Sequence, residues 1–569
     1  MPQMLSKNIA RDWLVRPQQE HGEQGTLSQA TDIQDLAIDA DLYRPKQSVV
    51  DQRRKHPPCT LYASFEDKWP SPALGTLTIA IWQFCWQPGS RAKGRGMFAR
   101  RRGLNVLMGG VIVAVSLVSG AQPTQAAAAE DWPTYLNGLA RTGFAPAEKV
   151  ITVSSAPSLR LRWTATSGGP ASAEPVVAGG VIYWGSWDGH ERATTSSGAL
   201  LWTSRDLGSI SNTHCLPPSV GLASTATVGM TLLRGKPALA VLVGGGDGYF
   251  YALNASNGFV IWRTRLWTDR GTFLWSSPAY YRGSLYEGVA SVGDCPLVRG
   301  KLVRLNANTG AIQKTFYTAP AGCTGAGVWG SPAIDARAGN VYFATGNGSQ
   351  RCSRRNRLST ALVEVTAAGL KLVGHWQVPP SQHGPDSDFG STPTLFTAAT
   401  GGRTRAMVGL ANKNGVYYAF DRAHIGTGPV WHARVASPGT CPECGPAAIS
   451  PSAWDGRLLY IAGGNVVING TKCRGTLRAA RPATGRLIWR RCLPFGPVLG
   501  AVTAVPGVVV IGTGAHVLAV NARTGATLFQ FKDTTRGSTF WGAASFSNGT
   551  LYAANQDGRL FAFSPQRHA

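Results

Sequence analysis

Thr484-Gly-Arg-Leu-Ile-Trp489, set beside Ser197-Gly-Ala-Leu-Leu-Trp202 and Asn257-Gly-Phe-Val-Ile-Trp262, is one phrase in three copies: a glycine turn and a short apolar strand closing on an indole. Thr524-Gly-Ala-Thr-Leu-Phe529 keeps an aromatic, and Thr309-Gly-Ala-Ile-Gln-Lys314 keeps the turn but loses it. Gly369 to Trp376 and Gly428 to Trp431 keep the indole at altered spacing. The turn glycines recur 60 residues apart between Gly198 and Gly258 and 40 apart between Gly485 and Gly525. An irregular period of this size, with four strand signals in each copy, is that of propeller blades carrying loop insertions.

Working outward, the segments that open each copy start at Ser172, Val220, Trp275, Trp329, Phe389, Gly445, Pro497 and Trp541, which predicts an all-β, eight-bladed β-propeller over residues 159–569. The last copy, Leu551 to Phe563, lacks an outer strand, and Leu159-Arg-Leu-Arg-Trp-Thr-Ala165 is an outer strand without a blade. Their pairing would join the N- and C-terminal strands and close the ring without a free sheet edge. The composition agrees: 69 Gly, 18 Trp, 15 Tyr and 19 Phe with only 15% charged residues describe many aromatic strands and tight turns rather than helices or disorder.

Ahead of the repeats, residues 1–96 show neither strand alternation nor helical period and are expected to be a non-native or disordered extension. Met97-Phe-Ala-Arg-Arg-Arg-Gly103, the apolar run Leu104 to Val118 and Thr124-Gln-Ala126 have the basic, apolar and small-residue parts of a secretory signal over 97–129, followed by a lead-in segment over 130–158. The expected location is secreted or periplasmic in a bacterial cell, with no stable membrane span after signal cleavage.

Export makes disulfides the expectation for the eight cysteines beyond the signal. Cys473 with Cys492 and Cys295 with Cys323 flank hairpin-like segments and are the preferred pairs. Cys441-Pro-Glu-Cys444 reads as a loop staple, and Gly445 stands where c-type haem attachment needs histidine. Past residue 129 the chain carries 40 basic and 20 acidic residues. The basic residues are dispersed arginines, which excludes a dense nucleic-acid-binding tract and points to an acidic polymer or redox partner.

Between Gly327 and Arg422 polar groups collect at strand ends: Trp329, Asn347, Asp386, Asp388 and Lys413. An aromatic plane, an amide oxygen, carboxylates and an ammonium suit a planar carbonyl cofactor with a hard metal ion.

These phrases resemble the pyrroloquinoline-quinone (PQQ) dehydrogenases and their PQQ-like repeat relatives. Leu253-Asn-Ala-Ser-Asn-Gly-Phe-Val-Ile-Trp262 and Val520-Asn-Ala-Arg-Thr-Gly525 resemble the blade signature, and Asp131-Trp-Pro-Thr-Tyr135 resembles the opening phrase of secreted members, polyvinyl-alcohol dehydrogenases included. The resemblance implies PQQ and calcium as cofactors, with Trp329 stacking on the quinone and Asn347 ligating the metal. It implies Asp388 as catalytic base and metal neighbour, and Lys413 beside the quinone oxygens. For the family's further metal carboxylate the resemblance implies Asp294, ahead of Val298-Arg-Gly300, as the candidate, offset by one residue. Gly390, where lanthanide-using relatives have a carboxylate, favours calcium. The chain departs from the family at Cys215, which stands single before Leu-Pro-Pro where alcohol dehydrogenases have a vicinal disulfide, and at Val220, near an expected cofactor arginine. The implied function is oxidation of an alcohol or polyol, polymers included, with a separate electron acceptor such as a cytochrome. The alternative is a non-catalytic propeller binding protein or polysaccharide.

Overall fold

In six of the blades the glycine of the repeated turn lies beneath an indole of the preceding blade. This is seen in a computed structural model that describes residues 131–211, 217–267, 269–352, 355–400 and 402–566, all within the compact unit Leu117–Ala569. Eight antiparallel sheets of at least four strands form eight blades. Their innermost strands are Val176–Ala178, Thr227–Leu233, Ala279–Tyr281, Ala333–Asp335, Thr394–Thr400, Ala453–Trp454, Thr503–Val505 and Ser545–Ser547. Each begins a few residues past the start read from the repeat.

A methyl group on Gly198 would come within 2.8 Å of the Trp163 ring, and one on Gly258 within 2.6 Å of Trp202. The same holds for Gly310 under Trp262 and Gly485 under Trp431, both at 2.5 Å, and for Gly525 under Trp489 at 2.8 Å. Trp376 approaches Gly428 more loosely, at 3.4 Å. The phrase therefore encodes a seam between blades, because the indole of one blade fills the space that the next blade's turn leaves by having no side chain. Indole N–H groups complete the seam by donating to neighbouring-blade carbonyls, as from Trp202 to Ala255 and from Trp489 to Ala522, both at 2.9 Å. Where Lys314 replaces the indole, Phe316 meets Phe343 across the seam instead. Phe529 similarly meets Phe563.

The final blade closes as expected. Leu159–Thr166 pairs antiparallel with Arg559–Pro565, in register from Leu159 opposite Pro565 to Thr166 opposite Arg559, with a bulge between Leu161 and Trp163.

One feature is invisible in the repeat. The lead-in segment runs round the axis and hydrogen-bonds the free edges of the innermost strands in turn. Trp132 bonds Val177 through both backbone groups, and Val228 donates to the Pro133 carbonyl. Ile334 donates to Leu139, Leu395 to Ala140, Trp454 to Thr142 and Ala504 to Gly143, at 2.7–2.9 Å. Arg141, fully buried, serves the third blade, where Nη2 donates to the Pro278 carbonyl at 2.9 Å, and the fourth again, where Nε donates to the Pro332 carbonyl at 3.0 Å. Ala543 of the last blade packs on Leu136 and Tyr135.

One pleat nearer the cluster of polar loops, in the first five blades, runs a partial belt in which an N–H of one blade donates to a hydroxyl of the next. It passes from Glu174 to Thr225, Thr225 to Ser277, Ser277 to Ser331 and Ser331 to Thr392, at 2.8–3.0 Å.

Burial lowers the Arg141 guanidinium to about 10 despite Tyr135, Glu174 and Glu287 nearby. Burial also raises the Glu174 carboxyl to about 8, against the pull of the Leu136 N–H that it accepts at 2.7 Å. A carboxyl that holds its proton more tightly when folded makes stability fall as pH rises from about 4.5 to about 8 and level off above. Glu174→Gln should flatten one proton's worth of that decline, measured by urea denaturation from pH 5 to 9; an unchanged slope would count against the buried acid.

For the seam, Gly258→Ala and Gly235→Ala both place alanine at positive φ, 73° and 77°, but only the first meets an indole, since nothing lies within 4 Å of a Cβ at Gly235. The first should cost about 1–3 kcal/mol more than the second in chemical denaturation.

Candidate functional site

Each innermost strand is preceded by a loop at one end of the ring, and the adjoining strand ends at the same level. Trp329 lies in the loop before Ala333–Asp335, Asp386 and Asp388 in the loop before Thr394–Thr400, Asn347 just past Asn340–Ala344 and Lys413 just past Arg403–Ala411. Strand alternation thus delivers four chain segments to one place.

Lys413 Nζ lies 2.8 Å from Asp386 Oδ2 and 3.1 Å from Asp388 Oδ2, and 5.2 Å from the centre of the Trp329 ring. Asp388 Oδ1 accepts the backbone N–H of Asn347. Asp386 Oδ1 accepts from the Asn347 side-chain amide at 3.0 Å and from the Asp388 N–H at 2.9 Å. The structure therefore brings Trp329, Asn347, Asp386, Asp388 and Lys413 together. Asp294 shares their electrostatic field but stands at the accessible rim, with a left-handed backbone at φ 63°. Among the described residues the one group of three ligating side chains gathered within 4.8 Å is Cys441, Glu443 and Cys444, and its two sulfurs are bonded to each other.

Only 7% of the Asp388 side chain is exposed. Burial raises its carboxyl to about 7; Lys413 opposes that rise, while Asp386 and Asp294 add to it. Burial disfavours the Lys413 ammonium, but the carboxylates of Asp388 and Asp386 outweigh it and hold the group above the ordinary lysine range. Desolvation raises Asp294 too, with Lys413 opposing the rise and Asp386 adding to it. Three carboxyls against one ammonium leave an excess of negative charge that a hard divalent cation would relieve.

The scaffold behind these groups is specific. Asn412, fully buried, donates from Nδ2 to the Ser387 carbonyl at 2.6 Å, and the Lys413 N–H donates to the Asp388 carbonyl at 3.0 Å. These successive bonds lock the lysine turn onto the aspartate loop. Gly390 makes room for the Trp329 ring, since a Cβ there would lie 2.1 Å from Cη2. Neither the lock made by Asn412 nor this packing role of Gly390 is legible in the residues alone, and Asp386 stands out there only as one of the carboxylates; the Asn-x-Asn-Gly turn around Lys413 is the signal available for Asn412.

The disulfides correct one expectation. Cys323 pairs with Cys352 rather than Cys295, because the loops before Trp329 and after Asn347 run side by side, joined by an antiparallel bridge between Gly325 and Gly348 and by the Ala326 N–H donating to the Asn347 carbonyl at 2.6 Å. The bond therefore ties two segments of the site together. Cys295 is itself disulfide-bonded. Cys473–Cys492 and Cys441–Cys444 form as expected. The expectation for Cys215, like those for residues 1–96 and the signal over 97–129, lies outside the described residues. No helix among the described residues is long and apolar enough to cross a membrane.

Gly390→Ala should displace the Trp329 ring, changing the near-ultraviolet circular dichroism while the far-ultraviolet spectrum is kept. An unaltered aromatic spectrum would contradict the close contact.

Comparison with known proteins gives this architecture a family. Residues 109–272 and 413–567, more than half of the chain, match the family described as outer membrane protein assembly factor BamB. Residues 298–435 match that described as glucose/ethanol/alcohol dehydrogenase, beta-propeller domain. A polyvinylalcohol dehydrogenase of Pseudomonas sp is 25% identical over 460 residues, 72% of this chain and 68% of that protein. A second, from Sphingopyxis sp. (strain 113P3), is 23% identical over 516 residues, 81% of this chain and 76% of that one. Among solved structures, quinohemoprotein alcohol dehydrogenase from Comamonas testosteroni superposes with a TM-score of 0.60 at 19% identity, covering 76% of this chain and 80% of its own, a likeness of fold. With its eight blades, its repeated turn and these matches, the chain belongs to the PQQ-like repeat β-propeller family.

Proposed function

We propose that this protein is an exported PQQ-dependent dehydrogenase that oxidises an alcohol or polyol, polymeric substrates included, and passes the electrons to a separate acceptor such as a cytochrome. The observation that carries the reading is the buried cluster of Asp386, Asp388, Lys413 and Asn347 beside the Trp329 ring, with its excess of negative charge. The polyvinylalcohol and quinohemoprotein alcohol dehydrogenases among its relatives support the same class of reaction.

The donor set fits PQQ and calcium: Trp329 offers a flat face, Asn347 Oδ1 with Asp388 and Asp294 offers hard oxygens, and Lys413 offers a cation for the quinone oxygens. When bound, the metal-polarised quinone supplies a carbonyl that accepts hydride. The remaining work belongs to the chain. Asp388 takes the substrate hydroxyl proton, and burial that pushes its carboxyl to about 7 makes it a stronger base than a solvated aspartate. The Asn347 N–H and Lys413 Nζ fix its two oxygens in opposite directions, so that proton transfer is oriented. Lys413, kept cationic by its carboxylate neighbours, stabilises negative charge that develops beside it. The segments Asp131–Ala145 and Leu159–Thr166 keep the floor and the ring closed beneath these groups.

The alternative, a non-catalytic propeller that binds protein or polysaccharide at the extracytoplasmic surface, is favoured by the description of the family that matches most of the repeats.

Asp388→Asn keeps volume and much of the hydrogen bonding while removing the base, so turnover in a dye-coupled assay should fall roughly 10²- to 10⁴-fold with quinone still bound. Asn347→Ala should weaken retention of calcium and quinone, because a hard cation loses an oxygen ligand. Calorimetry of the wild-type protein with PQQ and excess calcium decides between the two readings: absence of binding removes the dehydrogenase.

A further inference from the structure

Three indoles that the proposed mechanism does not use lie at the same end of the ring as the cluster around Asp388. Trp275 and Trp541 stand four residues ahead of Ala279 and Ser545, the place that Trp329 holds ahead of Ala333. Trp187 follows the strand Val181–Gly185 as Asn347 follows Asn340–Ala344. Trp187 packs edge-on against both others, with ring centres 6.5 Å from Trp275 and 6.3 Å from Trp541 at interplanar angles of 72° and 63°. Each of the three is only partly buried.

Tryptophan at the mouth of a propeller is most simply filler, and two of these rings are anchored as filler would be: the Trp187 N–H donates to Ser172 Oγ at 2.9 Å and the Trp275 N–H to the Ser291 carbonyl at 3.1 Å. Three further features go beyond that. The rings pack on one another yet stay partly accessible, so they present pre-ordered apolar area at little entropic cost. Trp187 and Trp275 pack on one apolar cluster, Val220, Phe273 and Val292 with Ile210 and Ala223 at the edges, and Trp541 joins it through Trp187. The wall is also continuous with the candidate site: Ser291, which anchors Trp275, is three residues from Asp294, and Cys295 packs against the same cluster.

We propose that Trp187, Trp275 and Trp541 form a platform that binds an extended aliphatic chain carrying secondary hydroxyls and feeds one of those hydroxyls towards Asp388. This deepens the dehydrogenase reading and rests on it for the direction of feeding. The chemistry favours this occupant over a glycan. A chain of alternating CH2 and CH(OH) units has an apolar ribbon to lay across edge-to-face indoles, and Asp294, three residues from the Ser291 that anchors Trp275, offers its hydroxyls an acceptor on the side of the candidate site. A pyranose would need polar side chains flanking each ring, and the one hydroxyl among the anchors described, Ser172 Oγ, already accepts from Trp187.

The test has two arms, both on the full chain. Calorimetry without quinone or metal titrates oligomeric poly(vinyl alcohol) and, separately, a soluble cello-oligosaccharide into wild type, Trp187→Leu and Trp541→Ala. Dye-coupled kinetics on the holoprotein then compares the polymer with pentane-2,4-diol. Loss of one platform ring should weaken polymer binding roughly 5- to 10-fold and raise the polymer KM by that factor more than the diol KM. Trp541→Phe, with circular dichroism and Tm, controls for folding and should recover most of the affinity. Equal KM increases for polymer and diol, no polymer binding, or tighter binding of the glycan would each overturn the platform. Polymer binding that depends on the three rings but without turnover of either alcohol would keep the platform and sink the dehydrogenase, so the two failures are distinguishable.

Discussion

An indole seated on a glycine is the contact on which this ring depends. Sheets with hydrophobic faces stack readily but nothing in stacking alone fixes their angle or number. A large flat side chain that enters a gap in the next blade's turn does, because a missing Cβ leaves one place for it. Six of the eight seams use this device: blade eight to one, one to two, two to three, four to five, five to six and six to seven. The two without it rely on phenylalanine pairs, at Phe316 with Phe343 and Phe529 with Phe563. One of these lies where the chain enters the blade that carries Asn347, and there the Cys323–Cys352 bond supplies a covalent tie in place of the indole.

A ring of blades leaves a second problem at its centre, where every innermost strand turns an unpaired edge towards the axis. Buried backbone groups without partners are costly. The lead-in segment meets this need with its own carbonyls and with Arg141, whose burial beside Glu174 and Glu287 is tolerated because its N–H groups each find backbone oxygens. The plug, the hydroxyl belt and the polar loops then follow one another along the axis. The floor under Trp329 is thereby rigid: Arg141 holds the carbonyl of Pro332, three residues beyond that ring. A site that must keep carboxylates and an ammonium at fixed separations gains from resting on such a floor.

The polar cluster shows the opposite economy. Its members repel and attract at close quarters, with the Asp388 carboxyl pushed up by burial and by two other carboxylates while Lys413 opposes that rise and is itself held cationic. At Asp188, paired with Arg192, hydrogen bonds from Arg192, Ser186 and the Gly168 N–H pull the carboxyl down to about 2 in spite of burial. Surplus charge of one sign, concentrated at the mouth of the ring, separates the candidate site from that pair.

The sequence by itself determined the blade, the count of blades and the closure. Those are carried by local chemistry repeated many times: a turn glycine, an apolar strand, an indole, and at the ends one strand and one gap that complement each other. It also marked Trp329, Asn347, Asp388 and Lys413, since each falls at a strand end within a recognisable phrase. Only the tertiary structure decided how those groups meet. Asp386 takes the amide of Asn347 and half of Lys413, Asn412 locks two loops, Cys323 finds Cys352, and Trp187, Trp275 and Trp541 form one wall. The plug is the clearest case. Apart from those of Arg141 and Glu174, its bonds run from backbone to backbone between some fifteen residues and strands spread over more than three hundred, so few side chains record them, and only the closing of the ring brings the partners within reach.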